Sequence, residues 1–305
     1  MPESPRCFAI SITPFGAGGE VDEAAFRRHL SRLVGAGVGV YVGGGGSGEG
    51  YTLSGAEVRR LQEIAVDQLP AGAPVRAMGV EPRSAAEMSR FLAGAAAAGL
   101  GAAQVYSLDV GHGHRPSPAE LERYLTEVLD STALGCVVST HQSVGYRIPV
   151  DLLVALAGRF EHLIGVNCTQ PDVAYLDEVV RALDGRCEVH VGGPGQALTA
   201  LALGARGFLS SEANLAPSLC AALGDALDGG DARALMRNAA TVLRLSNLLY
   251  GHGGIRATKA VMHRLGLVGA ATRPPRLPLE GSALDQLMEQ VRLLGLEEHD
   301  TVLGR

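Results

Sequence analysis

"GVYVGGGGSGEGYTLSGAE" (Gly39–Glu57) joins three different backbone signals. The apolar run at its start has the composition of a buried strand, continuing through Gly44. Ser54 and Glu57 have the spacing of a capping box, which opens a helix at Gly55. Between them lies a glycine run. Gly43-x-Gly45-x-x-Gly48 satisfies the dinucleotide-binding pattern, but a glycine run fits most glycine patterns. A phosphate cradle needs the helix to open at the glycines, so that its first N–H groups face the anion. Here the helix begins only after Ser54, and no Gly-Lys-Ser/Thr follows the glycines. The stretch therefore reads as strand, loop, helix, without a nucleotide fingerprint.

The same unit repeats along the chain. Apolar runs recur at 7–13, 39–44, 75–80, 102–107, 135–140, 163–168, 187–192 and 206–211, separated by helix-patterned segments. Ser84 and Ser117 sit where N-caps belong. No two strands are joined by a tight hairpin, which implies parallel pairing through helical crossovers. Beyond residue 230, "DARALMRNAATVLRLSNLLY", "RATKAVMHRLGL" and "SALDQLMEQVRLL" read as three helices with no strand between them. The pattern predicts an α/β fold, a (β/α)8 TIM barrel over 1–228 with a C-terminal helical extension over 229–305. A doubly wound open sheet is the alternative, with fewer strands and a distinct switch point. In a barrel, chemistry belongs at the C-terminal strand ends.

Composition narrows the function classes. A net charge of -6 without basic or acidic blocks gives no nucleic-acid patch and no polybasic anchor. Apolar stretches are interrupted well before the roughly 20 residues of a membrane span. "MPESPRCFAI" lacks a signal-peptide layout, and Cys7, Cys136, Cys168, Cys187 and Cys220 show no C-x-x-C spacing. A reduced, cytoplasmic protein is expected, with no membrane or nucleic-acid partner. Lys259 is the only lysine.

From Phe8 to Leu296 the chain resembles the dihydrodipicolinate synthase / N-acetylneuraminate lyase family. The likeness rests on "TPF", "GEGYTLS", "HRPSPAELERYL", "LIGVN", "ANLAPSL" and "ATKAVMHRLGLV" in order and spacing. It implies the same barrel, a class I pyruvate aldolase ancestry and a homo-oligomer, a dimer or a tetramer. Members form a Schiff base between a strand-six lysine and a 2-oxo acid, and the imine serves as electron sink. The position matching that lysine is Asn167, whose amide nitrogen forms no imine. The family's strand-five tyrosine is matched by Ser139, its two loop threonines by Gly46 and Ser47, and its strand-seven Gly-Asp by Gly193-Pro194. Lys259 falls where members also carry a lysine, outside the barrel pattern, and reads as solvated or structural.

The polar residues expected at the strand ends are Glu49, Glu81, Tyr106, Asp109, His112, His114, Ser139, His141, Asn167 and His190. His141 shares strand parity with Ser139 and is the preferred acid–base residue, with Ser139, Asn167, His112 and Asp109 as the other catalytic candidates. Gly46, Ser47, Tyr106, Gly193 and Glu49 are expected to bind a small carboxylate-bearing molecule. Three functions stay open: a lyase of aldolase or hydratase type on a small 2-oxo or hydroxy acid without an imine; a silent carboxylate binder, scaffold or regulator; or a metal-dependent aldolase-like enzyme. No cofactor is required, although the histidines with Asp109 or Glu49 offer donors for a divalent metal. The bland readings are a core His190, solvated His112 and His114, a structural Glu49, and a Cys168 pointing away from the lumen.

Overall fold

The computed structural model describes residues 4–299. Its strands are β1 (Cys7–Ile10), β2 (Gly39–Val42), β3 (Val75–Ala77), β4 (Ala102–Val105), β5 (Gly135–Thr140), β6 (Leu163–Cys168), β7 (Glu188–Val191) and β8 (Gly207–Ser210). The helices that follow them in turn are α1 (Glu23–Gly35), α2 (Gly55–Gln68), α3 (Ala85–Ala97), α4 (Pro118–Asp130), α5 (Val150–Arg159), α6 (Val173–Leu183), α7 (Ala197–Ala202) and α8 (Pro217–Asp228). The strands follow one another in chain order around a closed barrel. The fold is the expected (β/α)8 barrel. Among the described residues three helices then follow without a strand: α9 (Ala232–Gly251), α10 (Ile255–Arg264) and α11 (Gly281–Arg292). The predicted caps are present. Ser54 and Ser117 each close a capping box, with Glu57 and Glu120, and Ser84 caps α3.

The chain divides into two compact units, 1–74 with 209–305, and 75–208. Helices α9 to α11, expected as an extension after 228, thus fall in one unit with β1 and β2, and α9 packs along α8. In this first unit the Phe8 and Tyr41 rings pack at a tilt, with centroids 5.3 Å apart. Gly39 makes room for them, since a Cβ there would lie 2.4 Å from the Phe8 ring. One carboxamide stitches the end of β1 to the segment after β8. Asn214 Oδ1 accepts from Ile12 N at 2.9 Å and pairs with His29 Nε2 at 2.8 Å, while Nδ2 donates to the Ile10 and Ser211 carbonyls.

In the second unit, side chains of non-adjacent strands meet, which is possible only across the interior. Arg76 of β3 pairs with Glu188 of β7 at 3.2 Å, and Asn167 Nδ2 donates to Gln104 Oε1 at 2.6 Å. Register then assigns the inward face. Gln104, Val137, Gly165 and Glu188 are aligned, and two residues further on Ser139, Asn167, His190 and Gly207 are aligned. Val138, Val166, Cys168 and Val191 face the other way and are buried. Cys168 packs there as expected, its thiol pushed up by burial.

Candidate active site

A histidine–glutamate pair is built by the loops after β3 and β5. Ser107, just past β4, donates its hydroxyl to Ser139 O at 2.6 Å and accepts from His141 N at 3.1 Å. That bond fixes the backbone where β5 ends. Gln170 donates to the Thr140 and Tyr146 carbonyls, and the Tyr146 hydroxyl donates to Leu108 O at 2.8 Å, so the 141–146 turn is held on several sides. The His141 ring is thereby presented with Nδ1 3.2 Å from Glu81 Oε1. Ser143 Oγ approaches the same Nδ1 and donates to Glu81 Oε1 at 3.0 Å. Glu81 has a nearly buried side chain, and His141 is part-exposed. Because Glu81 and Ser143 both engage Nδ1, Ser143 lacks the arrangement of a triad nucleophile, which needs the two ring nitrogens to serve different partners. Nδ1 thus faces the Glu81 carboxylate at 3.2 Å and the Ser143 amide N–H, which donates toward it at 3.3 Å. Burial lowers the His141 pKa, with Glu81 opposing, so the ring is neutral near pH 7.

Beside it on the inward face, Ser139 is buried and its hydroxyl has no hydrogen-bond partner among the described residues. An orphan buried hydroxyl of this kind marks a place where a ligand or water completes the bonding. Asn167 and His190 share its level and are also buried. Tyr106 is buried, with its carbonyl accepting from Tyr124 at 2.7 Å. Gly193 precedes the turn after β7, and nothing lies within 4 Å of a Cβ built there.

The other candidates have different surroundings. Asp109 is paired with Arg83 at 2.8 Å and accepts from Gly111 N. His112 and His114 are exposed on a glycine-rich turn where His112 itself has φ 52°. Among the described residues no group of three or more His, Cys, Asp or Glu side chains could hold a metal ion. The donors expected from the H-x-H spacing are therefore not gathered: Asp109 is turned to Arg83, and the two histidines to solvent.

In the first unit the glycine loop folds back on itself. Gly50 N donates to Gly44 O at 2.9 Å, Glu49 N to Gly46 O at 3.1 Å, and Thr13 Oγ1 to Gly48 O at 2.7 Å. A Cβ at Gly48 would meet Gly44 O at 2.7 Å, whereas one at Gly46 meets nothing within 4 Å. Ser47 is buried and donates to Ser211 Oγ at 2.6 Å. Glu49, expected as a substrate contact or as a structural carboxylate, has the surroundings of the second. It is fully buried and paired with Lys259, and it also accepts from Arg273 N at 3.3 Å. Lys259 is likewise fully buried, donates to Ala271 O at 3.0 Å and lies 4.3 Å over the Phe15 ring. Burial lowers its pKa to about 8 against the pull of Glu49, and the amine stays protonated at neutral pH. Of the two sequence readings, solvated or structural, it is structural. Arg273 completes the cluster over the same ring at 4.5 Å, bound to Glu57 and to the Gly19 and Thr52 carbonyls.

Sequence reading missed how these side chains pair. Glu81 was visible as a polar residue after a strand, but neither Ser143 nor the His141 contact has a local signal. Glu49 and Lys259 are 210 residues apart.

The chain belongs to the dihydrodipicolinate synthetase family, which its residues 3–294 match. It is 32% identical over 296 residues to the 4-hydroxy-tetrahydrodipicolinate synthase of Hyphomonas neptunium, covering 93% of this chain and 96% of that one. The enzyme of the same name from Methanopyrus kandleri is 28% identical over 292 residues, covering 93% and 94%. Among solved structures, YagE, a prophage protein of this family from E. coli K12 in complex with pyruvate, superposes with a TM-score of 0.87 at 25% identity, covering 96% of this chain and 99% of that one. A monomeric dihydrodipicolinate synthase variant gives 0.89 at 20% identity, covering 96% and 97%, and supports the fold alone. No helix among the described residues is long and apolar enough to cross a membrane.

Proposed function

We propose that this family member is a lyase on a small 2-oxo or hydroxy acid that works by proton transfer through His141, without a Schiff base. The observation that carries the reading is the His141–Glu81 pair, with Nδ1 bound to the carboxylate at 3.2 Å. In the step, the bond between hydrogen and the carbon beside the ketone breaks. The proton passes to Nε2, and the electron pair becomes an enolate. Glu81 then stabilises the imidazolium through Nδ1–H. The orphan Ser139 hydroxyl is available to donate to the developing oxyanion.

Imine chemistry is set aside for two chemical reasons. Asn167 stands where the resemblance puts the family's lysine, and its amide nitrogen is delocalised and already donates to Gln104. Lys259 is sealed between Glu49 and Phe15. The silent-binder reading draws no support from the part-exposed, organised pair. We also propose that the chain self-associates, as the resemblance implies; Met236 and Leu243 are exposed apolar residues of α9 open to such contact, and sedimentation velocity tests this.

The test is hydrogen–deuterium exchange at carbon 3 of pyruvate, 2-oxobutanoate and 2-oxoglutarate, followed by NMR, with borohydride trapping read by intact mass. Exchange that disappears in His141→Ala, without a borohydride adduct, is expected. A reduced adduct on Lys259 would sink the reading.

A further inference from the structure

Helix α9 has one buried side, which includes Val242, Leu245 and Leu249, and its neighbours are α8, α10 and α11. The other side faces solvent. There Met236 and Tyr250 are each 63% exposed and Leu243 38%. The three recur every seven residues, two helical turns, so they stand in one row. Arg233, Arg237 and Arg244 are exposed as well, and the helical period puts them in a second row beside the first.

The charge of the second row is unopposed. No Asp or Glu occurs between Ala232 and Gly251, and the Asp231 carboxylate before them accepts from Ala234 N at 2.9 Å. Among the described residues none of the three guanidinium groups has an ion pair or a hydrogen bond. Other surface arginines do: Arg27 with Asp67 at 2.6 Å, Arg60 with Glu23 at 2.7 Å, and Arg264 with Asp285 at 2.9 Å. Arg233 also stands in the first turn of α9, where the helix dipole disfavours a cation. Three clustered cations are thus kept together on a chain of net charge -6.

The two rows define the occupant. An apolar row one residue wide at seven-residue spacing is the footprint of a packed partner helix. A membrane contact needs a broader apolar face, and a phosphate backbone makes no use of the apolar row. The arginines require carboxylates along one flank of that helix. A second copy offering its own α9 does not fit. Two-fold pairing of this face would bring together three guanidinium groups from each copy and no carboxylate, so copies that meet on α9 must present a different, acidic surface.

We propose that α9 docks an acidic amphipathic helix of a second protein. The partner's apolar positions sit on Met236, Leu243 and Tyr250, and its carboxylates on Arg233, Arg237 and Arg244. From Arg233 to Tyr250 the face is about 26 Å long, enough for about five turns of the partner. The inference goes beyond the proton-transfer reading and uses none of its residues.

Fluorescence anisotropy with a labelled synthetic peptide of about 20 residues tests this. The peptide carries Leu at the a and d positions of each heptad and Glu along one flank, and lactam bridges hold it helical. A twin carries Lys in place of Glu. The full chain is expected to bind the Glu peptide at least tenfold tighter than the Lys peptide, with the preference falling as salt rises. In the double variant Arg237→Glu, Arg244→Glu the order of the two peptides is expected to reverse. Leu243→Ser should weaken the Glu peptide at least tenfold, and His141→Ala should bind it as the parent does. Equal binding of both peptides by the parent overturns the proposal, as does no binding of either. So does a double variant that binds the Glu peptide as the parent does and melts at the same temperature. If the parent ignores the Glu peptide but binds vesicles of phosphatidylserine and phosphatidylcholine, the face is a membrane contact. If it ignores the peptide and Leu243→Ser lowers its sedimentation coefficient, the face is an interface between copies. Both outcomes also overturn the proposal.

Discussion

The two units each hold a base paired with a glutamate, and the pairs do opposite things. In the first, Lys259 and Glu49 are both at 0% side-chain exposure, with the amine also bound to Ala271 O and seated on Phe15. In the second, Glu81 is nearly buried but His141 keeps 36% of its side chain exposed, and among the described residues the contacts fall on Nδ1. A pair with every polar atom satisfied and no opening is an anchor: it joins the glycine loop to the tail and can be removed only at the expense of folding. A pair with one atom left over and a path to solvent can accept a proton and release it. The distinction lies in completeness and access, since the residue types alone would have ranked the lysine as the more reactive group.

Breaking the anchor should give the largest change. Lys259→Met leaves Glu49 buried without its main partner, and a loss of about 3–5 kcal/mol in unfolding free energy is expected. The double variant with Glu49→Leu should recover much of it, because no charge is then stranded. If the single variant unfolds at the parent's urea midpoint, the anchor reading fails. In His141→Ala the expectation is reversed: the midpoint shifts little, while exchange of 2-oxo-acid protons falls by roughly 10²–10⁴.

Acid should separate the units next. His29 is buried beside Asn214, and burial lowers its pKa from 6.5 to about 4. A depressed value means that the unfolded chain takes the proton first. Stability is therefore complete above pH 6.5 and drains as pH falls toward 4, by about 3 kcal/mol at 1.36 kcal/mol per pKa unit. His29→Gln should flatten that profile in urea titrations at pH 7 and 4.5. A parent protein equally stable at both would show that His29 is not the titrating group.

Glu81→Gln tests the second pair more gently. Replacing a charged partner by a neutral one costs about 1.5–3 kcal/mol of hydrogen bonding to the imidazolium, or about one to two powers of ten in rate. The pH profile carries the specific signature. His141 already titrates below 6.5, and Glu81 is the group holding it up. Without the carboxylate the acidic limb should move to lower pH. A limb that stays in place while the rate falls would reduce Glu81 to packing.

How much of this was legible in the chain follows from range. Strands, caps and tail helices depend on neighbours a few residues apart, and Ser54, Ser84 and Ser117 cap where their spacing says they should. The inward face was also readable, because parity carries Ser139 and Asn167 to one side of adjacent strands. His112 and His114 were harder to place, because a glycine-rich turn with His112 at positive φ has no parity to read. Pairings across 62 or 210 residues, such as Ser143 with Glu81 or Lys259 with Glu49, have no local pattern at all.

The smallest effect belongs to the glycine loop, where the sequence shows a uniform run and the structure does not. Gly48 approaches the Gly44 carbonyl so closely that a Cβ would sit 2.7 Å from it, and that atom is backbone and cannot step aside. Gly46 is not among the glycines at positive φ and has open space where a methyl would go. Gly46→Ala is therefore expected to change stability by no more than about 0.5 kcal/mol, and Gly48→Ala to unfold the loop's return. Thermal melts of both variants check the pair. Equal destabilisation by the two substitutions would mean that the run is required for its flexibility and not for a close approach at one of its members.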